Sequence, residues 1–374
     1  MSNILLKDRV EFSYGFSVRV NDEQSGEYPV FGSNGITGHI DSYKVESPGV
    51  IIGRKGSVGA IRFSNENFTP IDTAYYLSIK DKTKDDIKFW YYYLQLLGLE
   101  NLNTHSSVPG LSRAIAYFVN VNPPNIKAQQ KIAAVLSALD AKIELNNRVN
   151  AELEAMAKTL YDYWFVQFNF PNAKGKPYKT SGGKMVWNEA LKSEIPLGWE
   201  VKKFAEVAAI TAGGDKPAVF SLEKNANCSV PIYSNGVSNE GLYGYTDKAK
   251  IKDKSITVSA RGTIGYCVLR SKPFVPIIRL IVIVPHISIS TKYFEEYVKD
   301  LKFEKSGSVQ QQLTVPQVSE IDILCPPVDI LKKFDEATSF SMSQTYILKE
   351  ESQQLTELRD WLLPMLMNGQ VKAA

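Results

Sequence analysis

One stretch of the chain decides the fold, residues 127–165, and it reads KAQQKIAAVLSALDAKIELNNRVNAELEAMAKTLYDYWF. Apolar or small residues recur in it at alternating intervals of four and three, with asparagine at two middle positions. This seam consists of Ile132, Leu136, Leu139, Ile143, Asn146, Asn150, Leu153, Ala157, Leu160 and Trp164. An average interval of about 3.5 residues is typical of a helix that packs along its length against another helix. About 40 residues at roughly 1.5 Å each give a helix of some 60 Å, which predicts a connecting element rather than a core helix.

Length and composition leave several classes of protein open. A chain of 374 residues is long enough for two or three domains. Its 44% hydrophobic and 22% charged residues are ordinary for a soluble protein, and a net charge of +3 neither indicates nor excludes nucleic acid. Cys228, Cys267 and Cys325 are scattered, which disfavours a disulfide framework. Without an apolar run of about 18 residues, the sequence predicts a cytoplasmic protein that does not enter a membrane.

The second half of the chain repeats the first. The segment YPVFGSNG at 28–35 returns as VPIYSNG at 230–236, and VIIGRKGSVG at 50–59 returns as ITVSARGTIG at 256–265. The pair Pro123-Pro124 returns as Pro326-Pro327, and each pair precedes a long helical pattern. The second helix is expected over residues 330–363, with Pro364 at its end. Its seam is Phe334, Ala337, Leu348, Leu355, Leu358 and Leu362.

These patterns predict an α+β fold with an internal pseudo-two-fold repeat. Two α/β domains are separated by two long helices that form an antiparallel coiled coil. An antiparallel pairing brings Asn146 and Asn150 opposite Gln344 and Glu351, so that buried polar groups find partners. A parallel pairing is disfavoured because the connecting segment would have to travel back along the whole helix.

The predicted domain limits follow from the same patterns. The first domain spans residues 1–122, the first helix 123–167, the second domain 198–325, and the second helix with the C-terminal tail 326–374. Between them, residues 168–197 are expected to form a linker. This stretch is rich in Gly, Lys and Asn and too poor in apolar residues to be part of a compact core.

The repeated Gly-containing segments are candidates for contact with nucleic acid. Arg54, Lys55 and Arg261 are cations beside glycines that allow the backbone to approach a phosphate, and an arginine can also reach a guanine edge. The alternative is a tight hairpin turn that needs positive φ and leaves its cation solvated. Because the segment occurs in both halves, it is not expected to discriminate between sequences.

Other candidates are polar side chains in turns and loops. Asn34-Gly35 and Asn235-Gly236 are dipeptides typical of hairpin turns, which we favour over DNA contact. The loops 101–112 and 302–313 are polar and differ between the halves, so their side chains either read base edges or belong to plain surface loops. The candidates in these loops are Asn103, His105, Ser106, Ser107, Lys305, Ser308, Gln310, Gln311 and Gln312.

The sequence contains no pattern that predicts chemistry on this chain. His39, His105 and His286 have no ligand-spaced neighbours, so no metal site is expected. There is no phosphate-binding glycine loop after a strand and no spaced carboxylate–lysine cluster of a nuclease. The aromatic run 89–93 is more typical of a helix core than of a platform that stacks on bases.

Together these segments make the chain resemble the specificity subunit of type I DNA restriction–modification systems. The matching segments are IPLGW at 195–199, VPGLS at 108–112, AQQKIA at 128–133, LYDYWF at 160–165 and LRDWLLP at 358–364, besides the repeated segments. The resemblance implies that each domain is a target-recognition domain for one half of a bipartite, asymmetric DNA sequence. It implies that the helices set the spacing and dock two methyltransferase subunits, and that two motor–nuclease subunits join for cleavage.

The resemblance also implies that this chain is non-catalytic and binds no cofactor. S-adenosylmethionine is then expected on the methyltransferase subunits, and ATP with Mg²⁺ on the motor subunits. Two other classes of function remain as alternatives: a fused adenine methyltransferase, and a helical adaptor that binds only protein.

Overall fold

The computed structural model describes residues 4–18, 26–102, 110–286, 290–301, 303 and 312–373. The chain forms two compact units, one of Met1–Arg148 with Leu348–Ala374 and one of Val149–Ile347. Each unit therefore takes in part of each long helix, whereas the predicted domain limits placed the helices outside the domains.

The first unit contains mixed sheet and helix. Its strands are β1 Ile4–Leu5, β2 Val10–Tyr14, β3 Tyr28–Gly32, β4 Gly35–Ile40, β5 Gly49–Gly53, β6 Ile61–Ser64, β7 Thr69–Pro70, β8 Ala74–Ile79 and β9 Asn120–Val121. Its helices are α1 Leu6–Arg9, α2 Ile87–Leu94, α3 Arg113–Ala116 and the first part of α4 Ile126–Tyr161, with a 3₁₀ turn at Leu99–Asn101. Among the described residues, the strands form an antiparallel sheet in the order β2-β8-β5-β6, a three-stranded sheet β4-β3-β7 and the pair β1-β9.

The second unit contains the same arrangement. Its strands are β10 Met185–Asn188, β11 Ser193–Pro196, β12 Glu200–Lys203, β13 Ala208–Ala212, β14 Val230–Tyr233, β15 Leu242–Thr246, β16 Ser255–Val258, β17 Cys267–Arg270, β18 Val275–Pro276, β19 Ile281–Pro285 and β20 Asp322–Cys325. Its helices are α5 Phe204–Val207, α6 Thr291–Asp300, α7 Val315–Ser319 and the first part of α8 Val328–Met367, with a π-helical turn Asp162–Val166 after α4 and 3₁₀ turns at Lys179–Ser181 and Ser238–Gly241. The sheet orders β13-β19-β16-β17 and β15-β14-β18 match those of the first unit strand for strand, which confirms the internal repeat.

In each four-stranded sheet, the sequence of one inner strand explains why that strand is buried along its whole length. All residues of β5, GVIIG, are buried, and so are all residues of β16, SITV. β-branched residues fit a pleated strand that is covered on both faces. A helix covers one face in each unit: α2 packs on β5 and β6, and α6 packs on β16 and β17.

The seam of the first long helix is present as predicted. Asn125 caps α4, since its Oδ1 accepts a hydrogen bond of 3.0 Å from the backbone N–H of Ala128. Every seam residue from Ile132 to Trp164 is buried or half-buried, whereas the positions between them are mostly exposed.

The two long helices run antiparallel in the first unit and are in contact in the second. In the first unit, Asp140 Oδ1 contacts Arg359 Nη1 at 2.8 Å, and Asn146 Nδ2 donates to Glu351 Oε2 at 2.8 Å, so that the partner number falls as the α4 number rises. In the second unit, the rings of Trp164 and Phe165 lie 5.9 and 5.0 Å from the ring of Phe334 near the start of α8. The predicted α+β fold with antiparallel helices is confirmed.

The segment after α4 is not a linker outside the core, and that prediction is wrong. Phe170 and Ile195 are buried in the core of the second unit. Phe170 stacks on Tyr178 at 4.7 Å and lies 5.0 Å from the ring of Trp199. The few aromatic residues of this polar stretch are sufficient to fold it back onto the unit, and β10 and β11 pair with each other.

The second long helix also departs from the prediction. It continues through Pro364 to Met367, because Leu363, Leu366 and Met367 are buried against the first unit's core. A proline in the last turn removes only one backbone hydrogen bond, and burial of these apolar side chains outweighs the free energy lost with it. Four residues of its predicted seam, Phe334, Leu348, Leu355 and Leu362, are buried or half-buried, whereas Ala337 and Leu358 are exposed and Thr338 is buried in place of Ala337.

Candidate nucleic-acid interface

The repeated Gly-containing segments fold as equivalent turns in the two units. Gly59 N donates to Gly53 O at 2.8 Å in the first unit, and Gly265 N donates to Ser259 O at 3.0 Å in the second. Gly59 has φ +75° and Gly265 has φ +88°, a region that favours glycine. The glycines therefore allow the tight turn with positive φ that one of the two interpretations of the sequence predicted. The cations lie on the surface beside this turn.

Each turn forms a backbone hydrogen bond with a residue near the end of the polar loop 101–112 or 302–313. Leu111 N donates to Arg54 O at 2.9 Å, and Leu313 N donates to Ala260 O at 2.9 Å. In the first unit Gly110 also forms a β-bridge with Lys55. The described residues Leu111 and Leu313, which follow most of the predicted loop candidates in the sequence, thus lie beside these turns.

The predicted cations differ in their surroundings. Lys55 is exposed, and Arg261 donates from Nη2 to Gln312 Oε1 at 2.8 Å in an exposed contact. Arg54 is half-buried and donates from Nη1 to the backbone oxygen of Asp72 at 3.0 Å. These side chains are placed on the surface where a nucleic acid could reach them, and their contact with DNA stays a prediction.

The two predicted asparagines have different roles in the structure. Asn34 lies in the two-residue turn between β3 and β4, and its Oδ1 accepts only a 3.3 Å hydrogen bond from Ser57 Oγ among the described residues. Asn235 does not form a two-residue hairpin turn, because residues 234–241 connect β14 to β15. Its Nδ2 donates to Ile278 O at 2.6 Å, and its Oδ1 accepts from Ala260 N at 2.7 Å. Asn235-Gly236 therefore lies in the longer connection of the antiparallel β14–β15 hairpin, and the Asn235 side chain braces the turn that carries Arg261.

The remaining predicted site residues lie outside the described residues. They are Asn103, His105, Ser106, Ser107, Lys305, Ser308, Gln310 and Gln311.

The aromatic run on α2 forms helix core, as predicted. Phe89, Trp90 and Tyr92 are buried. The Tyr92 hydroxyl donates to Asp140 Oδ2 at 2.6 Å, and burial together with this hydrogen bond raises the pKa of Tyr92. Asp140 therefore connects the first unit's α2 to Arg359 of the second long helix.

A cluster that sequence reasoning missed lies beside the first turn. The guanidinium carbons of Arg54 and Arg113 lie 4.9 and 4.6 Å from the centre of the Tyr14 ring. Tyr14 is 48% exposed, and its ring centre is 5.1 Å from that of Tyr75. Burial and the neighbouring Tyr14 raise the pKa of Tyr75, so its hydroxyl stays protonated and donates to Leu111 O at 3.1 Å. We call Tyr14, Arg54 and Arg113 the Arg–Tyr–Arg cluster.

Other kinds of site find no support in the described ranges. Nowhere in them do three or more His, Cys, Asp or Glu side chains come together in a way that could hold a metal ion. None of the helices in those ranges combines the length and apolar character needed to span a lipid bilayer.

A model of the type I restriction modification DNA specificity domain matches residues 6–155 and again residues 196–350. The chain belongs to this family. The two matches coincide with the two repeats, so each repeat is one specificity domain. As a type I specificity subunit, the chain is a DNA-recognition component and not an enzyme.

Known members of the family are similar to this chain along most of its length. A Mycoplasma pneumoniae protein that carries the provisional name of a type I specificity subunit is 29% identical over 83% of this chain and 80% of its own. The type I restriction enzyme HindI specificity subunit of Haemophilus influenzae is 25% identical over 68% of this chain and 69% of its own. The fold is shared with a crystal structure of a type I restriction–modification S subunit from M. genitalium, with a TM-score of 0.59, 19% identity and coverage of 98% and 95% of the two chains.

Proposed function

We propose that the specificity subunit reads a bipartite and asymmetric DNA sequence, with one half recognised by each unit. The observation that carries this proposal is the same turn, presented twice on the same sheet frame, with different side chains beside it. Identical readers would require a palindrome, whereas related but unequal readers select two different half-sites.

The long helices are proposed to set the spacing between the half-sites. A continuous α4 of 36 residues, paired antiparallel with α8 in the first unit and in contact with it in the second, supports a stiff connection. The same helices and the flanks of the units are proposed to dock two methyltransferase subunits, with two motor–nuclease subunits joining in the restriction complex.

Cofactors are proposed to belong to the partner subunits. S-adenosylmethionine would then be bound by the methyltransferase subunits, and ATP with Mg²⁺ by the motor subunits, in the cytoplasm. This chain would supply no reacting group and would act by positioning the partners on duplex DNA.

The direct test is to map methylated sites in a host that expresses the chain with the methyltransferase subunits of its own system. The expected consensus has two unequal half-sites separated by a fixed number of unspecified bases. A palindromic or continuous consensus would contradict the proposal, and so would methylation that does not depend on this chain.

A further inference from the structure

The Arg–Tyr–Arg cluster holds two cations in fixed positions on the surface of the first unit. Arg54 Nη1 donates to Asp72 O at 3.0 Å, and Arg113 Nη1 donates to Phe12 O at 3.1 Å. Stacking on an aromatic ring and one backbone hydrogen bond each restrict the motion of the guanidinium groups. Little side-chain entropy is then left to lose when these groups bind a ligand.

Neither guanidinium is neutralised within the described part of the chain. Arg54 and Arg113 make no ion pair with a carboxylate there, and both are half-buried rather than covered. The second unit has its own Arg–Tyr contact, Arg270 at 3.6 Å from the Tyr233 ring, but Arg270 is 5% exposed and pairs with Glu240 at 3.2 Å. That contact is structural, whereas the cluster of the first unit is available to an anionic or electronegative ligand.

The cluster is specific to the first unit. Tyr14 pairs with Tyr75 across β2 and β8, and the equivalent residues across β13 and β19 are Ala212 and Ile281. Leu111 N donates a hydrogen bond to Arg54 O, and Leu313 N donates the equivalent one to Ala260 O, so Arg54 corresponds to Ala260. Arg113 and Val315 each follow the leucine by two residues, and each is the first residue of its helix, α3 or α7. Arg113 therefore corresponds to Val315. All three members of the cluster are thus replaced by Ala or Val.

The cluster also lies beside the described residues that follow the segment predicted to read bases. Arg54 O accepts a hydrogen bond from Leu111 N, Arg113 follows Leu111 by two residues, and residue 110 is the first described residue after the segment 103–109. A ligand bound beside Leu111 would therefore lie close to both arginines.

We propose that the Arg–Tyr–Arg cluster reads guanine in the half-site of the first unit. This inference rests on the proposed function. A guanidinium is a planar fork that can donate two hydrogen bonds to O6 and N7 of guanine in the major groove. Phosphates are present at both half-sites and would call for cations in both units, whereas the cluster exists in only one. Tyr14 is a positioning residue that holds the two forks.

The test uses the full chain with its methyltransferase subunits, acting on a plasmid library with randomised sequence. Arg54→Lys and Arg113→Lys, alone and together, keep the charge but remove the fork. We expect the preference for guanine at one or more positions of one half-site to fall roughly tenfold to a hundredfold. The other half-site and the spacing should stay unchanged. Arg62→Ala, which removes an exposed cation of the same unit outside the cluster, should leave the consensus unchanged.

Several results would overturn the inference. An equal loss of methylation at all sequences, with a weaker salt dependence, would identify phosphate contacts. An unchanged consensus in the double variant would identify a structural role. In both cases a bipartite consensus would survive, so the proposed function would stand. A consensus of the wild-type complex without two half-sites would contradict both the guanine-reading inference and the proposed function. Tyr14→Ala keeps both arginines and provides a second variant that should relax the same position, if the lysine variants fold poorly.

Discussion

Asn146 and Glu351 join the two long helices through a hydrogen bond of 2.8 Å from the amide Nδ2 to the carboxylate Oε2. Asn146 is 1% exposed, and Lys142 Nζ also lies 3.3 Å from the same carboxylate oxygen. A buried amide in a mostly apolar seam fixes the register of paired helices, because any slip leaves it without a partner. The sequence pattern predicted this pairing, and the structure confirms it. The partner predicted for Asn150 is not found, since its buried Oδ1 accepts no hydrogen bond in the described part of the chain.

This pair predicts a pH dependence of stability. The hydrogen bond from Asn146, and then the contact with Lys142, lower the pKa of Glu351 below its ordinary value of 4.5. A lowered folded-state pKa contributes stability above the unfolded-state pKa that is lost as the pH falls through the folded-state pKa. Asn146→Ala should therefore lose less stability than wild type on acidification below about pH 4.5, measured by thermal unfolding. Asn147→Ala, at an exposed neighbouring position, should follow the wild type. An identical acid profile in Asn146→Ala and wild type would contradict the assignment.

The two asparagines of the repeated segments should differ in their effect on stability. Asn235→Ala removes two hydrogen bonds that brace the second turn, each worth about 0.5–1.5 kcal/mol. It should lower the free energy of unfolding by roughly 1–3 kcal/mol, measured by urea denaturation. Asn34→Ala removes one exposed, 3.3 Å contact and should change it by less than about 0.5 kcal/mol. Equal effects of the two substitutions would show that Asn235 does not brace the turn.

The two glycines of the first turn provide a matched comparison. Gly56 and Gly59 have almost the same φ, +76° and +75°, so alanine meets the same backbone strain of about 1–2 kcal/mol at each. A Cβ on Gly59 would lie 2.3 Å from the backbone nitrogen of Glu100, whereas on Gly56 it would come only within 3.2 Å of Ser33 Oγ. Gly59→Ala should therefore be clearly more destabilising than Gly56→Ala in urea denaturation. The reverse order would mean that the chain near Glu100 gives way at little cost.

The periodic and repeated features could be read from the sequence, and the contacts between distant segments could not. The seam from Ile132 to Trp164 is visible because helix periodicity is local. The repeat is visible because the turns need the same glycines twice. The Arg–Tyr–Arg cluster depends on strand pairing and on the placement of α3, which bring residues 14, 54 and 113 together. No local pattern announces that arrangement.

The departures from prediction have a similar cause. Phe170 and Ile195 stand in a polar segment, and a few large apolar side chains were enough to fold it onto the second unit. Pro364 is a helix-ending signal, but burial of Leu363, Leu366 and Met367 carries the helix past it. In both cases tertiary packing outweighed a local composition or propensity signal.

The central claim is that the paired helices set the distance between two half-sites. The measurement that tests it most directly is the methylation consensus of a variant with residues 147–153 and 344–350 deleted together. This change removes seven residues from each helix and keeps Asn146 opposite Glu351. Both half-sites should stay unchanged, and the unspecified spacer should shorten by about 3 base pairs, since seven residues correspond to roughly 10 Å of helix. A properly assembled variant with an unchanged spacer, or with altered half-sites, would contradict the account.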